Sequence, residues 1–196
     1  MTEPNPLHPL LRQRWSPQDF RADHELDAAD VATLLEAARW APSAGNSQPW
    51  AFVAARRADA MHQRLTPCLL GGARRWGVRA SLLLVNLCHR TVGETDYEYS
   101  EFAMYDLGQA VAHLTIQAES MGLSVRQFRS FDRDAIEALL TVAPGWQVAS
   151  MAAIGVPPEQ PAPYAAQLPD GRTLPRERRP LTSLDARQDP DRPSRG

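Results

Sequence analysis

The chain contains no lysine: all 21 of its basic residues are arginine. Without a lysine amine there is no lysine Schiff base, and no phosphate loop of the kind built around that residue. A GC-rich coding sequence explains the bias more simply than selection for guanidinium chemistry. Cysteine is nearly as scarce. Cys68 and Cys88 form no CxxC pair, so neither a disulfide nor a zinc site is expected, and Cys88, in the apolar run Ser81 to Cys88, reads as a small buried hydrophobe. The histidines His8, His24, His62, His89 and His113 show no HxxxH or HExxH spacing, which leaves no metal site to expect. His113 lies inside a helical pattern and reads as a packing residue. No GxSxG, GxGxxG or Walker pattern occurs, so a hydrolase elbow or a dinucleotide fold has no support. No apolar run approaches the roughly 18 residues of a membrane span, and Met1 to Pro9 lacks a basic stretch followed by an apolar one. A net charge of −2 exerts no general pull on nucleic acid or acidic membranes. These absences together point to a cytoplasmic protein whose partners are small molecules.

At 196 residues and 43% hydrophobic content, the chain is long enough for one sizeable core. Residues 1–9 hold Pro4, Pro6 and Pro9, and residues 185–196 are polar and charged, so a single domain over 10–184 with flexible ends is expected. Asp27 can cap a helix whose apolar residues Val31, Leu34, Leu35 and Ala38 share one face, ending near Trp40. Leu107, Val111, Leu114, Ala118 and Met121 mark a long central helix stopped by Gly122, with a stripe broader than one small sheet needs. A third helix starts from Asp132 and runs through Ile136, Leu139 and Leu140. Strands are expected at Ala51–Ala55, Ser81–Cys88 and Val148–Val156. Helices and strands do not alternate regularly, which favours an α+β fold, a small mixed or antiparallel sheet surrounded by helices, over a doubly wound parallel sheet.

Two segments carry candidate chemistry. Arg12, Arg14, Ser16 and Gln18 alternate, so an extended backbone would present two guanidiniums, a hydroxyl and an amide on one side, a clamp for phosphate and a heteroaromatic edge. Arginines near a terminus are also commonly just solvated. Ala41 to Trp50 runs from the first helix into a strand; Pro42 and Pro49 fix its path, Gly45 permits a sharp turn, and Asn46 and Gln48 supply paired donors and acceptors. An ordinary helix-to-strand loop would account for the same residues.

Taken together, Arg14-Trp15-Ser16-Pro17, Glu36 to Ser43 and Asn46-Ser47-Gln48-Pro49-Trp50 resemble, in order and spacing, the signature of the FMN-dependent nitroreductase family. Tyr105 to Ala110, Met121-Gly122-Leu123, Phe131-Asp132, Ala153-Ile154-Gly155 and Arg176 to Leu181 continue the resemblance, which covers about Leu10 to Leu184. It implies a nitroreductase-like α+β fold and a homodimer with FMN held noncovalently between subunits. It also implies NAD(P)H as transient reductant and a small acceptor of nitroaromatic or quinone type. Arg14, Trp15, Ser16 and Gln18 match the first cofactor-contacting segment. Pro42, Ser43, Ala44 and Asn46 match the loop that reaches the flavin from the neighbouring subunit. Gln127, Phe128, Arg129 and Ser130 fall where backbone lies beside the ring. Arg176 and Arg178 resemble a basic pair on the phosphate, with Arg179 as a substitute for either.

No side chain is assigned as a catalytic acid or base, because the flavin would carry the chemistry. The sequence departs from the family at Ala44, where serine is frequent, and at Ala73, where an asparagine on the pyrimidine edge is expected; both suggest a loosened flavin site. Arg126 and Arg129 place cations where His, Glu or small residues are commoner, either as a specificity device reaching the pocket or as surface drift. Asp96 to Tyr99 fall where the family shapes substrate pockets, and a plain surface loop would account for them equally. The same scaffold also admits a specialised flavin-dependent dehydrogenase, oxidase or dehalogenase, or a degenerate member acting as a binding or partner subunit.

Overall fold

The computed structural model describes residues 7–91, 102–158, 165–167, 173–175 and 178–184. They fall into two compact units, Met1–Pro158 and Glu159–Gly196. In chain order the first contains α1 (Pro9–Gln13), α2 (Ala28–Arg39), β1 (Trp50–Arg56), α3 (Ala60–Leu65), α4 (Ala73–Trp76), β2 (Leu82–His89), α5 (Phe102–Ser120), β3 (Ser124–Phe128), α6 (Arg133–Leu140) and β4 (Trp146–Gly155). Its four strands form an antiparallel sheet in the order β1-β2-β4-β3. The second unit pairs β5 (Ala165–Gln167) with β6 (Thr173–Pro175) and includes a 3-10 turn at Leu181–Leu184. The expected α+β fold is present, and the larger sheet is antiparallel rather than mixed.

The sheet is covered on both faces, which explains the unbroken apolar run of β2. Leu82 and Leu84 pack with Leu34 and Ala38 of α2 and with Ala110, Leu114 and Ala118 of α5. Leu83, Val85 and Leu87 point the other way, into a core with Leu65, Trp76 and Ile136. A strand buried on both sides reads as continuous hydrophobicity because neither set of alternating side chains meets water.

α2 begins as its sequence predicts. The Asp27 carboxylate accepts the Asp30 N–H at 2.8 Å while that of Asp30 accepts the Asp27 N–H at 3.1 Å, a reciprocal cap of the kind worth about 1 kcal/mol. α5 ends before Gly122, whose φ of +73° is the left-handed conformation that closes many helices. Asp132 caps α6 by accepting the Ala135 N–H at 3.0 Å.

Four expectations need correction. The apolar stripe of α5 is covered within the chain: Leu107, Val111, Leu114 and Ala118 are all buried against the sheet and α2. What α5 leaves exposed is Phe102, Met104 and Tyr105 at its start. His113 is exposed, not packed. Arg12 does not lie on an extended strand, because Pro9 opens a short helix capped by the His8 ring, which accepts the Leu10 N–H at 3.3 Å. Ala73 is a buried core residue at the start of α4, so no binding role is attached to it. Residues 1–6, 92–101, Arg176 and the tail 185–196 lie outside the described residues, and with them the Asp96 to Tyr99 segment. Among the described residues no helix is long and apolar enough to cross a membrane.

Candidate functional site

The loop between α2 and β1 is held in an uncommon backbone conformation. Gly45, Asn46 and Gln48 have φ of +57°, +55° and +48°. Glycine takes this region freely, but a side chain there costs on the order of 1 kcal/mol or more, least for asparagine. The strain is offset by a set of hydrogen bonds. The Ser43 carbonyl accepts the Asn46 N–H at 3.0 Å, and the Ser43 hydroxyl accepts the Gln48 N–H at 3.0 Å. The Asp106 carboxylate of α5 accepts the Ala44 N–H at 2.9 Å. Pro49 is tied to the end of β2 through its carbonyl, which accepts the His89 N–H at 2.9 Å.

Asp106 is only 2% exposed, and a carboxylate that deep must be hydrogen-bonded to be tolerated. Its second oxygen accepts from the Gln109 amide at 3.4 Å. The Ser47 hydroxyl is shielded from solvent and has no hydrogen-bond partner in the structure. Asn46 and Gln48 are exposed, and the Gln48 amide donates back to the Asn46 carbonyl at 3.3 Å. The loop thus presents Pro42 and Asn46 outward on a preformed frame, with Ser43 and Ala44 half-buried beneath.

The first segment and β3 meet elsewhere. Arg14 closes α1, and its guanidinium stands 3.5 Å from the Ser16 hydroxyl. Trp15 is half-buried, Pro17 buried, and Ser16 and Gln18 exposed. The Pro17 carbonyl accepts from Arg126 of β3 at 2.9 Å, and the same guanidinium lies over the Trp76 ring, 4.8 Å from its centroid. Trp76 in turn meets Phe128 edge-on at 4.8 Å, and Phe128 meets Phe131 at 6.2 Å. Burial lowers the pKa of the Arg126 guanidinium, but arginine starts so high that the group stays charged at neutral pH.

Gln127, Arg129 and Ser130 are exposed. The Ser130 carbonyl accepts the Leu70 N–H at 2.9 Å, tying the end of this segment to the loop before α4. β3 is a sheet edge, so one row of its backbone groups faces away from β4. Arg126 is half-buried and so has not drifted to the surface: it bridges β3, α4 and the first segment. In the second unit Arg178 and Arg179 are exposed after β6.

The residue that sequence reasoning left without a role is Asp106. Its signal was present, since an aspartate stands in the buried stripe between Ala103, Leu107 and Ala110.

The family model described as "Nitroreductase family" matches residues 11–93, the stretch holding the first segment, the loop and the first two strands. The chain belongs to the nitroreductase family. This nitroreductase-family chain is similar, at 30% identity, to a solved structure described as an oxidoreductase containing FMN, with a TM-score of 0.80 and coverage of 94% of this chain and 92% of that one. It is 29% identical to 5,6-dimethylbenzimidazole synthase of Rhodospirillum rubrum, covering 83% of this chain and 87% of that protein. A nitroreductase family protein of Streptococcus pneumoniae shares the fold at a TM-score of 0.69 and 20% identity, covering 82% of this chain and 94% of that one.

Proposed function

We propose that this protein is an FMN-dependent oxidoreductase that works as a homodimer, taking reducing equivalents from NAD(P)H and passing them to a small organic acceptor of nitroaromatic or quinone type. The observation that carries the proposal is the loop Ser43–Gln48, in which Gly45, Asn46 and Gln48 are left-handed and the Ala44 N–H is taken by a buried carboxylate from another element. Backbone strain of this kind is kept where a ligand uses the resulting shape. The 30% identity to an FMN-containing oxidoreductase across nearly the whole chain supports the choice of ligand.

The residues present fit FMN. The adjacent Arg14 guanidinium and Ser16 hydroxyl suit a phosphate dianion. The outer backbone edge of β3 around Gln127 suits the polar rim of a flat ring. When bound, the flavin would supply hydride acceptance and donation at its N5. The protein's own share is to bind the phosphate, set the ring plane and exclude water, and no side chain need act as acid or base. Arg178 and Arg179 are further candidates for the phosphate on sequence grounds.

The sheet order favours a site completed by a second subunit. The loop Ser43–Gln48 leads into β1 and the segment Gln127–Ser130 leaves β3, and these strands are opposite edges of the sheet. At about 4.8 Å per strand spacing the edges are roughly 14 Å apart. A partner's loop could reach the β3 edge where the chain's own loop does not. The same reading treats residues 10–184 as one functional domain and places the protein in the cytoplasm with its pyridine nucleotide.

The test is direct. The purified protein, or apoprotein reconstituted with FMN, is expected to be yellow, to bleach anaerobically with NADH or NADPH, and to recolour with a neutral quinone. Failure to bind FMN would overturn the proposal. The identity to 5,6-dimethylbenzimidazole synthase motivates a second reading, a specialised flavin-dependent enzyme of metabolite synthesis; formation of that compound, detected by chromatography, with negligible quinone reduction would favour it.

A further inference from the structure

The surroundings of Arg126 give it a definite task. Among the described residues its partners are neutral: the Pro17 carbonyl at 2.9 Å and the Trp76 indole face at 4.8 Å. A half-buried guanidinium gives up hydration, and among the described residues no carboxylate compensates it. Such an arrangement is retained where its geometry is useful, because a planar guanidinium can stack on an indole and donate within its plane at the same time.

What it holds is the arm running from Arg14 to Arg21. The far end of that arm is pinned without it. Arg79 donates to the Phe20 carbonyl at 3.0 Å and pairs with Asp19 at 3.1 Å. The Arg21 N–H reaches the Val156 carbonyl at 2.8 Å, and Phe20 is fully buried. Removing Arg126 therefore leaves residues 19–21 in place. The near end is different. Pro17 has no N–H, so its carbonyl is the one backbone group through which residue 17 can be hydrogen-bonded, and Arg126 takes it. Ser16 is the next residue, and Arg14 stands 3.5 Å from its hydroxyl.

We propose that Arg126 is a positioning residue for the cofactor phosphate: by holding the Pro17 carbonyl against β3 and Trp76, it fixes the Arg14–Ser16 pair in the orientation that binds the anion. This rests on the FMN reading given above. Arg126 touches no ligand itself, and its effect passes through the backbone of residue 17. Trp76 supplies the platform and Phe128 braces the platform from the edge.

Two measurements test it. Hydrogen exchange on the flavin-free protein is expected to show faster exchange in the peptide covering residues 14–18 for Arg126→Met, with residues 20–26 unchanged. This readout does not depend on flavin. FMN titration of the apoproteins then measures Ser16→Ala alone and combined with Arg126→Met. Arg126→Met is expected to weaken FMN roughly tenfold or more, the equivalent of one charge-assisted bond lost at the Arg14–Ser16 pair. Ser16→Ala should weaken binding in the wild-type background and add little in the Arg126→Met background. Arg126→Lys, which keeps a charged donor but not the planar stack, should recover part of the affinity, and it replaces Arg126→Met in both measurements if that variant does not fold. Unchanged exchange at 14–18 overturns the proposal, as does an equal cost of Ser16→Ala in both backgrounds. A wild-type protein that binds no FMN overturns the flavin reading instead, and is told apart by the exchange result.

Discussion

The buried carboxylate of Asp106 accepts the backbone N–H of Ala44 at 2.9 Å, joining positions 62 residues apart. It is the tie between the central helix and the loop whose left-handed residues begin at Gly45. A bond to a backbone N–H does not depend on the loop side chain, so Ala44, in place of the serine frequent in the family, costs nothing at this contact.

Asp106→Asn keeps the volume and one acceptor but removes the charge. Because hydrogen bonds to charged groups contribute about 1.5–3 kcal/mol, a loss of about 1–2 kcal/mol in stability is expected. FMN affinity should fall with it as the loop relaxes. Denaturant unfolding and flavin titration check the two together; unchanged values in both would remove Asp106 as the loop's anchor.

Arg14→Ala should weaken FMN binding by about 1.5–3 kcal/mol, the size of a charge-assisted contact. Arg178→Ala, made in parallel, tests the role that the family resemblance implies for that residue. Titration of each apoprotein with FMN gives the answer, and an unaltered affinity in the Arg14 variant would take that residue out of the site.

His62 supplies a pH dependence. Burial, reinforced by the Arg57 charge and partly opposed by Asp59, pushes its pKa below the ordinary 6.5, and its Nε2 is shielded without a partner. The unfolded chain therefore binds this proton more readily than the native one. Stability contributed by neutral His62 is full above about pH 6.5 and is lost as pH falls from there toward the depressed native value. His62→Leu should flatten that part of the stability profile in urea melts between pH 7 and pH 5; an unchanged slope would show that other groups set it.

The exposed apolar residues at the start of α5 and the end of α2 are the expected subunit contact. Trp40 is 73% exposed yet fixed, its indole N–H held by Glu36 at 2.8 Å and its ring covered by Arg39. Together with Phe102 and Tyr105 it offers aromatic anchors of the kind that cost upwards of about 2 kcal/mol when removed from an interface. Sedimentation should show a dimer for the wild type at micromolar concentration and a shift toward monomer for Trp40→Asp or Tyr105→Glu. A folded wild-type monomer at that concentration would overturn the dimer.

The parts legible in the sequence are those where one local rule suffices. α2 could be read from Asp27 and a stripe of four apolar residues, and β2 from its unbroken run, because both patterns follow from burial alone. β3 could not. Two of its five residues are Arg126 and Gln127, which suit an edge strand whose cation is accommodated by Trp76, fifty positions earlier in the chain. α1 and α4 have five and four residues, too few for a periodic pattern to show. In the candidate site the loop's composition announced a turn, but its tie to the central helix runs through Asp106, which is distant in sequence. The contacts of Arg126 could not be read, because its partners are a carbonyl and a ring face, neither of which leaves a trace in the sequence.

The bond between the Arg21 N–H and the Val156 carbonyl bears on the order in which the protein takes shape as it is made. A chain leaving the ribosome from its first residue can complete α2 and the β1–β2 pair from segments already emerged. The arm at residues 14–21 can dock only in part at that stage, through Arg79, which takes the Asp19 carboxylate and the Phe20 carbonyl. The partners of Pro17 and Arg21, which are Arg126 and Val156, are synthesised long after the arm, so both contacts wait until β3 and β4 have joined the sheet. The near end of the arm is thus among the last parts of the described fold to settle, and a nascent chain cut off before residue 126 would carry Arg14 and Ser16 with the Pro17 carbonyl still lacking its guanidinium.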